Sequence, residues 1–559
     1  MTNISRMSII NCINDRIKES PMSVIAHNPI LPGFFPDPSA CAVGDDFYIV
    51  NSTFTYFPGL PVMHSKDLAH WEQIGNVLTR ESQLPLKDAE VSRGLFAPTI
   101  RYNNGTFYVI CTNVSFGGNF IVTSDKAEGP YSEPHYLEGA DGIDPSLFFD
   151  DDGKCYYIGT HPNPDGCRWD GDWFIYIQEL DIENFKLIGE KHNVWNGAMR
   201  GVHWPEGPHL YKKGEYYYIL HAEGGTGPEH AVCVARSKEI FGKYEGNFCN
   251  PIITHRHLGK QYPIQYVGHA DMFADKNGEW YMVMLAVRPL NGFTTMGRET
   301  FLASVVWEND WPVVNPNVGL LTRALKINLD SSESETISNS EPGVDKKYDF
   351  RTIKEFGPEI LTLRNPCNDF YEIVEGRGLK LKCSKNLITS LGDVSYLGVR
   401  QDCHAFEIGC TINTDSLYRG AAAGLIIYQN NRSNIRFECS NGIGYVIVTR
   451  NGEETKYETC ALGGSVSTII MRVLGLKAFC FLMSKNGPVA IAGNIDISAL
   501  STETSGGFVG NTCGIYAHDY DDVRDTDMYA GFMNFYYTRF LTQQEKEQLE
   551  EEYMEDLRQ

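Results

Sequence analysis

Within its first 320 residues the chain repeats one short device five times: a turn, then a β-prone run carrying paired aromatics or an aromatic beside a long apolar residue. The copies are "GDDFYIV" (44–50), "NGTFYVI" (104–110), "DGKCYYI" (152–158), "KGEYYYIL" (213–220) and "NGEWYMVM" (277–284). Asn-Gly and Asp-Gly ahead of such a run are strong short-range hairpin signals, because both central residues of the tight turn need positive φ. Aligned on Tyr48, Tyr108, Tyr156, Tyr217 and Tyr281, the copies are far enough apart for a four-stranded unit and its loops. Outer-strand echoes recur in "HSKDLAHWEQ", "VTSDKAEGPYSEP" and "ARSKEIFGKYEG". Five such all-β units in succession predict a five-bladed β-propeller.

Reading backwards from each aligned tyrosine by eleven or twelve residues gives Asp37, Ala97, Asp144, Glu206 and His269. Their contexts are "FPDPS", "FAPT", "IDPS", "WPEGP" and "GHAD". Taken singly, each is ordinary turn or strand-cap chemistry; Asp before Pro is a common turn opener. Taken together they occupy one register, the start of the strand before the hairpin. If that strand is innermost in every blade, the pseudo-rotation axis brings all five side chains to one end of the central channel. Three carboxylates and a histidine then share a small space, and crowded ionised carboxylates cost stability unless function uses them.

Composition narrows the partner. The formal charge is −23, and no Lys/Arg run exceeds a pair, which argues against nucleic acid or an anionic membrane. No apolar run is long enough to span a bilayer. The first thirty residues, interrupted by Arg6, Asp15 and Arg16, have no signal-peptide core. The 15 cysteines are scattered with no C-x-x-C pair, so neither a disulfide framework nor a zinc site is indicated, and a cytoplasmic location is the simpler expectation. Nothing in the composition opposes a homo-oligomer.

Two carboxylates of unequal pKa on either side of a glycosidic bond are the minimum equipment for hydrolysing it. Glu206 suits the acid: its side chain is the longer, and Trp204 and the flanking prolines of "HWPEGPHL" form an apolar wall that raises its pKa. Asp37, held between two prolines, suits the base that fixes a water. Asp144 is then the third charge, keeping Glu206 oriented and protonated. In a five-fold ring the first and fourth repeats are separated by one blade and the third and fourth are neighbours. Asp37 is therefore the farther partner of Glu206, with room for a water, and Asp144 the nearer. The competing chemistry is a divalent ion held by Asp37, Asp144, Glu206 and His269.

The ordered motifs "NPILPGFFPDPS", "GIDPSLFFDDDGKCYYIGT", "WPEGPHLYKKGEYYYILHAEGG", "GHAD" and "GRETFLA" resemble glycoside hydrolase family 43, in particular its β-xylosidase and α-L-arabinofuranosidase members. The resemblance covers residues 27–320 closely. It implies inverting hydrolysis of oligosaccharides, with Asp37 as general base, Asp144 as pKa modulator and Glu206 as general acid. It places His269 and Arg298 against the sugar and Phe54, in "STFTYFPG", on the pocket wall. Phe96-Ala97-Pro98 stands where many members have Trp-Ala-Pro, giving a smaller stacking surface. The resemblance implies no required cofactor and allows a structural calcium ion in the channel, near the position of His269. Glu223, in "HAEGGT", is open to a pocket or a structural role. A second propeller family, which cleaves fructosides with retention, wants Arg-Asp-Pro where this chain reads "GIDPS". A non-catalytic carbohydrate-binding propeller is the alternative from another class; the presence of all three acids weighs against it.

The expected organisation is an N-terminal extension over 1–26, the propeller over 27–329, a polar linker over 330–346, a β-sandwich over 347–541 and a short helical tail over 542–559. The sandwich follows from short strands such as "HAFEIGCTIN", "AAAGLIIYQ" and "GYVIVTR" separated by Gly/Asn turns. It reads as a lectin-like fold open to two roles, a sugar-binding module or a partner that packs against the propeller and shapes its pocket, and the second is favoured. The segment "GGFVGNT" resembles the one that brings an aromatic to the active site in two-domain members, which makes Phe508 an expected lid.

Overall fold

The computed structural model describes residues 23–328, 345–367, 369–521 and 527–540. The helical tail expected over 542–559, nearly all of the linker and the first 22 residues lie outside the described residues. The described cysteines are all free, and among the described residues no helix is long and apolar enough to cross a membrane.

Five four-stranded antiparallel sheets follow one another along the chain, each pairing its strands in sequence order. Their first strands are Ser39–Val43, Thr99–Asn103, Ile143–Phe149, Glu206–Lys213 and Gln265–Ala274. These five neighbour one another around a closed ring, so each sheet is a blade and its first strand lines the axis. The turns form as their residues dictate. Asn104 and Gly105 both adopt positive φ, 49° and 88°, and Asn103 pairs with Thr106 across them, the geometry of a two-residue hairpin. Apolar residues of adjacent blades interlock: Val50 and Val62 of the first pack with Ile100, Val109 and Phe120 of the second. Leu220 and Val232 of the fourth pack with Met272, Met284 and Phe301 of the fifth. Each such fully buried side chain contributes about 1.5–3 kcal/mol.

Residues 23–26, expected in an extension, belong instead to a strand, Ser23–His27, that pairs antiparallel with Ala324–Asn328. The pairing ties the two ends of the propeller together; sequence gives no local sign of it because the partner lies some 300 residues away.

The second half forms an eight-stranded and a six-stranded sheet enclosing an apolar core that includes Phe406, Ile408, Leu425, Phe437 and Met471. It is fastened to the propeller. Tyr56–Phe57 pairs with Thr362–Leu363, and Phe34, Phe54 and Tyr56 join Leu361, Tyr396, Tyr428 and Tyr516 in one buried cluster. Arg400 Nε donates to the carbonyl of Phe34 at 2.7 Å. The segment 502–511 is stitched to the fifth blade: the Glu503 carboxylate accepts from the Thr294 amide and hydroxyl, each at 2.7 Å, and the Asn511 amide donates to the Thr295 carbonyl at 2.8 Å. Gly510 sits so close that a Cβ there would lie 2.1 Å from the Met296 carbonyl oxygen.

That approach makes a test. Gly510→Ala must push two backbones apart, and we expect a loss of about 1–3 kcal/mol in urea unfolding, the usual cost of overpacking. Gly463→Ala, where nothing lies within 4 Å, is the control and should leave the midpoint within error. Equal midpoints for both would mean the segment is not tightly docked.

Candidate active site

The side chains of the five register-equivalent residues, Asp37, Ala97, Asp144, Glu206 and His269, line a single cavity of about 350 Å³. The backbone aims them. Asp37, Asp144 and His269 have φ of 51°, 55° and 48°, and Gly207, beside Glu206, has 56°. Left-handed backbone at a non-glycine residue costs on the order of 1–3 kcal/mol and persists only where its surroundings enforce it. Pairing is interrupted at the same places, between Ile143 and Ser146, Glu206 and His209, and Gln265 and Ala270. Such bulges turn a side chain out of the regular alternation; here they turn it toward the mouth of the channel.

The three carboxyl groups have different surroundings. Arg298 Nη1 donates to Asp37 Oδ1 at 2.6 Å and Nη2 approaches Oδ2 at 3.4 Å. The Ser52 hydroxyl makes a short bond to Oδ2, and His269 Nδ1 lies 3.9 Å from Oδ1. Burial alone pushes Asp37 up, but Arg298, His269 and Ser52 together hold it below the ordinary carboxylate range. Asp144 accepts one bond at its Oδ2, from the Gly207 amide at 3.2 Å; burial, opposed by His269 and reinforced by Asp37, moves its pKa upward. Glu206 is raised well above its usual value, first by burial, then by the charge of Asp144 and, less strongly, that of Asp37. One cavity thus holds an ionised carboxylate and a protonated carboxylic acid.

Aromatics close the other side. Phe54 and Phe508 stack at 5.8 Å between centroids, and Phe96 meets both edge-on at 5.5 and 6.0 Å. The guanidinium of Arg298 lies 5.7 Å from the centroids of both Phe54 and Phe508, so its charge faces π-clouds as well as Asp37. Phe508 comes from the sandwich half, its amide accepted by the Ser92 hydroxyl at 2.9 Å. Trp204 forms part of the wall near Glu206, with φ of 47°. Gly171 and Gly225 make its seat, since a Cβ on either would come within 3.0 Å of the indole.

All eight site residues expected from sequence line this cavity: Asp37, Asp144, Glu206, Phe54, Phe96, His269, Arg298 and Phe508. Sequence reasoning passed over Trp173, Ile143 and Thr226, which also line it, and Ser52. Trp173 opens a third strand, whereas the repeat pointed only to first strands; Ile143 immediately precedes a residue the register did pick. Glu223 takes its structural option. It is not in the cavity lining; its Oε1 accepts from the Ala198 amide and lies 2.8 Å from His221 Nε2, steadying the loop that leads into Trp204 and Glu206.

The divalent-ion alternative meets poor donor geometry. Among the described residues, the His, Cys and carboxylate donors that lie within 4.8 Å of one another in a group of three belong to His221, Glu223 and Cys233, behind that loop. Asp37, meanwhile, already carries a guanidinium on its oxygens.

The model of glycosyl hydrolases family 43 matches residues 26–312, and that of the β-xylosidase C-terminal concanavalin A-like domain matches residues 347–538. A xylosidase/arabinosidase of Butyrivibrio fibrisolvens is 49% identical over 92% of this chain and 99% of its own. A non-reducing end α-L-arabinofuranosidase of Bacteroides ovatus is 36% identical over 88% of this chain and 90% of its own. The crystal structure of a xylan β-1,4-xylosidase from Bacillus halodurans superposes with a TM-score of 0.81 at 32% identity, covering 92% of this chain and all of that one. With both halves matched in order and relatives alike along nearly the whole length, the chain belongs to glycosyl hydrolase family 43.

Proposed function

We propose that the protein is an exo-acting, inverting glycosidase that releases a terminal pentose, β-D-xylose foremost and also α-L-arabinofuranose, from xylo- or arabino-oligosaccharides. The observation that carries the chemistry is the opposite displacement of Asp37 and Glu206 within one cavity. The pentose specificity is supported by the relatives, named for xylosidase and arabinosidase activity.

In the reaction a water held by Asp37 attacks the anomeric carbon and its proton passes to the Asp37 carboxylate. Glu206 protonates the departing glycosidic oxygen, so the bond breaks without expelling an alkoxide. The two groups then exchange their proton with solvent to reset. Asp37's lowered pKa keeps it ionised over the working range, at some cost in basicity. Asp144, the stronger of the two carboxylate charges acting on Glu206, makes loss of the Glu206 proton unfavourable between turnovers. Phe54, Phe96 and Phe508 offer apolar faces to the sugar ring, and His269 and Arg298 offer donors to its hydroxyls. Enzymes of this family generally need no cofactor, and no step here calls for one.

A screen on aryl β-D-xyloside and aryl α-L-arabinofuranoside tests the reading: we expect turnover of both. Binding of xylo-oligosaccharides without turnover of either would favour a carbohydrate-binding propeller. Asp37→Asn and Glu206→Gln should each lower kcat by about 10²–10⁴-fold, the usual contribution of a general acid or base, and Asp144→Asn should lower it as well, because Glu206 then loses the charge that holds its proton. The Glu206→Gln loss should shrink on aglycones that are good leaving groups, because these need less protonation. A Glu206→Gln defect independent of leaving group would remove Glu206 from the acid role.

The pH dependence has a definite sign. Activity falls with acid first as Asp144, its pKa raised to about 6, takes up a proton and then as Asp37 does so below the ordinary carboxylate value, and it falls with base as Glu206 ionises, well above that value. Glu206→Gln should abolish the basic limb and keep the acidic one. Stability follows the same linkage. The raised pKa of Glu206 contributes stability fully below its unfolded value of about 4.3, lost as pH rises through the folded value. Glu206→Gln should therefore melt above wild type at pH 8 and with it at pH 4. An equal or lower midpoint at pH 8 would mean that Glu206 does not resist ionisation.

A further inference from the structure

Immediately beneath the acids, on the same innermost strands, lies a second ring of polar side chains that no step of the reaction uses. Its centre is Asp271 of the fifth blade, fully buried, two residues beyond His269. Arg101 of the second blade grips it with two nitrogens, Nη1 to Oδ2 at 2.8 Å and Nη2 to Oδ1 at 3.1 Å. Tyr211 of the fourth blade donates to Oδ1 at 2.6 Å. Ser39 of the first blade donates to Oδ2 at 2.6 Å, and the Ala40 amide to the same oxygen at 3.1 Å. Arg101 Nη2 also reaches His209 Nδ1 of the fourth blade at 3.0 Å. The third blade joins through Ser146, whose hydroxyl donates to the Pro208 carbonyl at 2.6 Å, and through Thr99, which donates to the Pro145 carbonyl at 2.9 Å.

We infer that Arg101 is the resident cation of the propeller channel, a positioning residue that holds the five innermost strands, and so the acids above them, in register without a divalent ion. A buried carboxylate on the axis needs a positive partner, and the guanidinium supplies it with fork geometry that a lysine cannot match. The calcium ion that the family allows in the channel finds no fit at this level. Calcium needs six to eight oxygen ligands, while both oxygens of Asp271 are engaged by donors from three other blades and a fixed positive charge occupies the adjoining space. The links to the acids are short: Ser39 is two residues from Asp37, and His209 three from Glu206.

The inference rests on the reading of Asp37 and Glu206 as the reacting pair, so its test has one arm that reads the channel and one that reads the reaction. In the first, full-length protein is exhaustively chelated and then given CaCl₂, while thermal midpoint and aryl-xyloside turnover are followed. We expect neither to move; loss on chelation with recovery in calcium would overturn the inference. In the second, Arg101→Lys, Arg101→Ala and the double variant Arg101→Met/Asp271→Asn are compared, the last removing both charges so that no orphan carboxylate unfolds the protein. Measured below their melting points and per folded molecule, Arg101→Ala and the double variant should lose about 10²-fold in kcat, the scale of a misplaced catalytic group. KM and both pH limbs should stay near wild type, since the charge of Arg101 is not what tunes the acids. Arg101→Lys should recover part of kcat. If Arg101→Ala does not fold, the double variant decides. A folded double variant with wild-type kcat would show the network to be a stability device alone. Inactivity of the wild type on every glycoside would instead count against the reaction assignment, leaving the chelation arm to judge the channel.

Discussion

The pairing of Arg298 with Asp37 is the interaction on which the site depends. Three carboxyl groups share one cavity, and like charges so confined cannot all ionise cheaply. The guanidinium settles which one ionises most readily. With 2.6 Å between Nη1 and Oδ1 and a serine hydroxyl on the other oxygen, Asp37 keeps its charge. Burial first, then the charge of Asp144 and, less strongly, that of Asp37 press on Glu206, whose carboxyl no guanidinium grips, and it retains its proton. Acid and base are thus assigned by surroundings, and removing one cation would change the state of three acids.

The propeller provides what this arrangement needs, a way to bring residues from distant parts of the chain to one point. Asp37 and Arg298 are separated by 261 positions, yet both belong to segments that end at the mouth of the channel. The geometry is bought with strained backbone at Asp37, Asp144 and His269, and interrupted pairing in the third to fifth blades re-aims the side chains. The sandwich half completes the pocket. Phe508 stacks on Phe54, and Phe54 belongs to the buried cluster that joins the two halves, so the aromatic wall stands on the interface between them.

The parts legible in the sequence are those that repeat or alternate. A turn and aromatic strand recurring five times gave the blade count, and the same register picked out Asp37, Ala97, Asp144, Glu206 and His269. Arg298 and Phe54 were legible through family resemblance, since neither falls in the repeated register, and Phe508 came from a segment resembling two-domain members. What could not be read were contacts between residues with no shared pattern. Ser52 on Asp37, Trp173 on the wall, Arg101 on Asp271 and the strand 23–27 on 324–328 all depend on closure of the ring. Asp271 stood in view within "GHAD", but nothing local shows that its partner lies three blades earlier in the chain.

The central claim is that Asp37 directs a water to the anomeric carbon and Glu206 releases the leaving group in one displacement. Proton NMR of a β-xyloside digest, followed from the first seconds, tests it most directly. The account requires α-xylose to appear first, with β-xylose growing in only at the rate of mutarotation. Initial β-xylose, or accumulation of a covalent sugar–enzyme adduct, would contradict it.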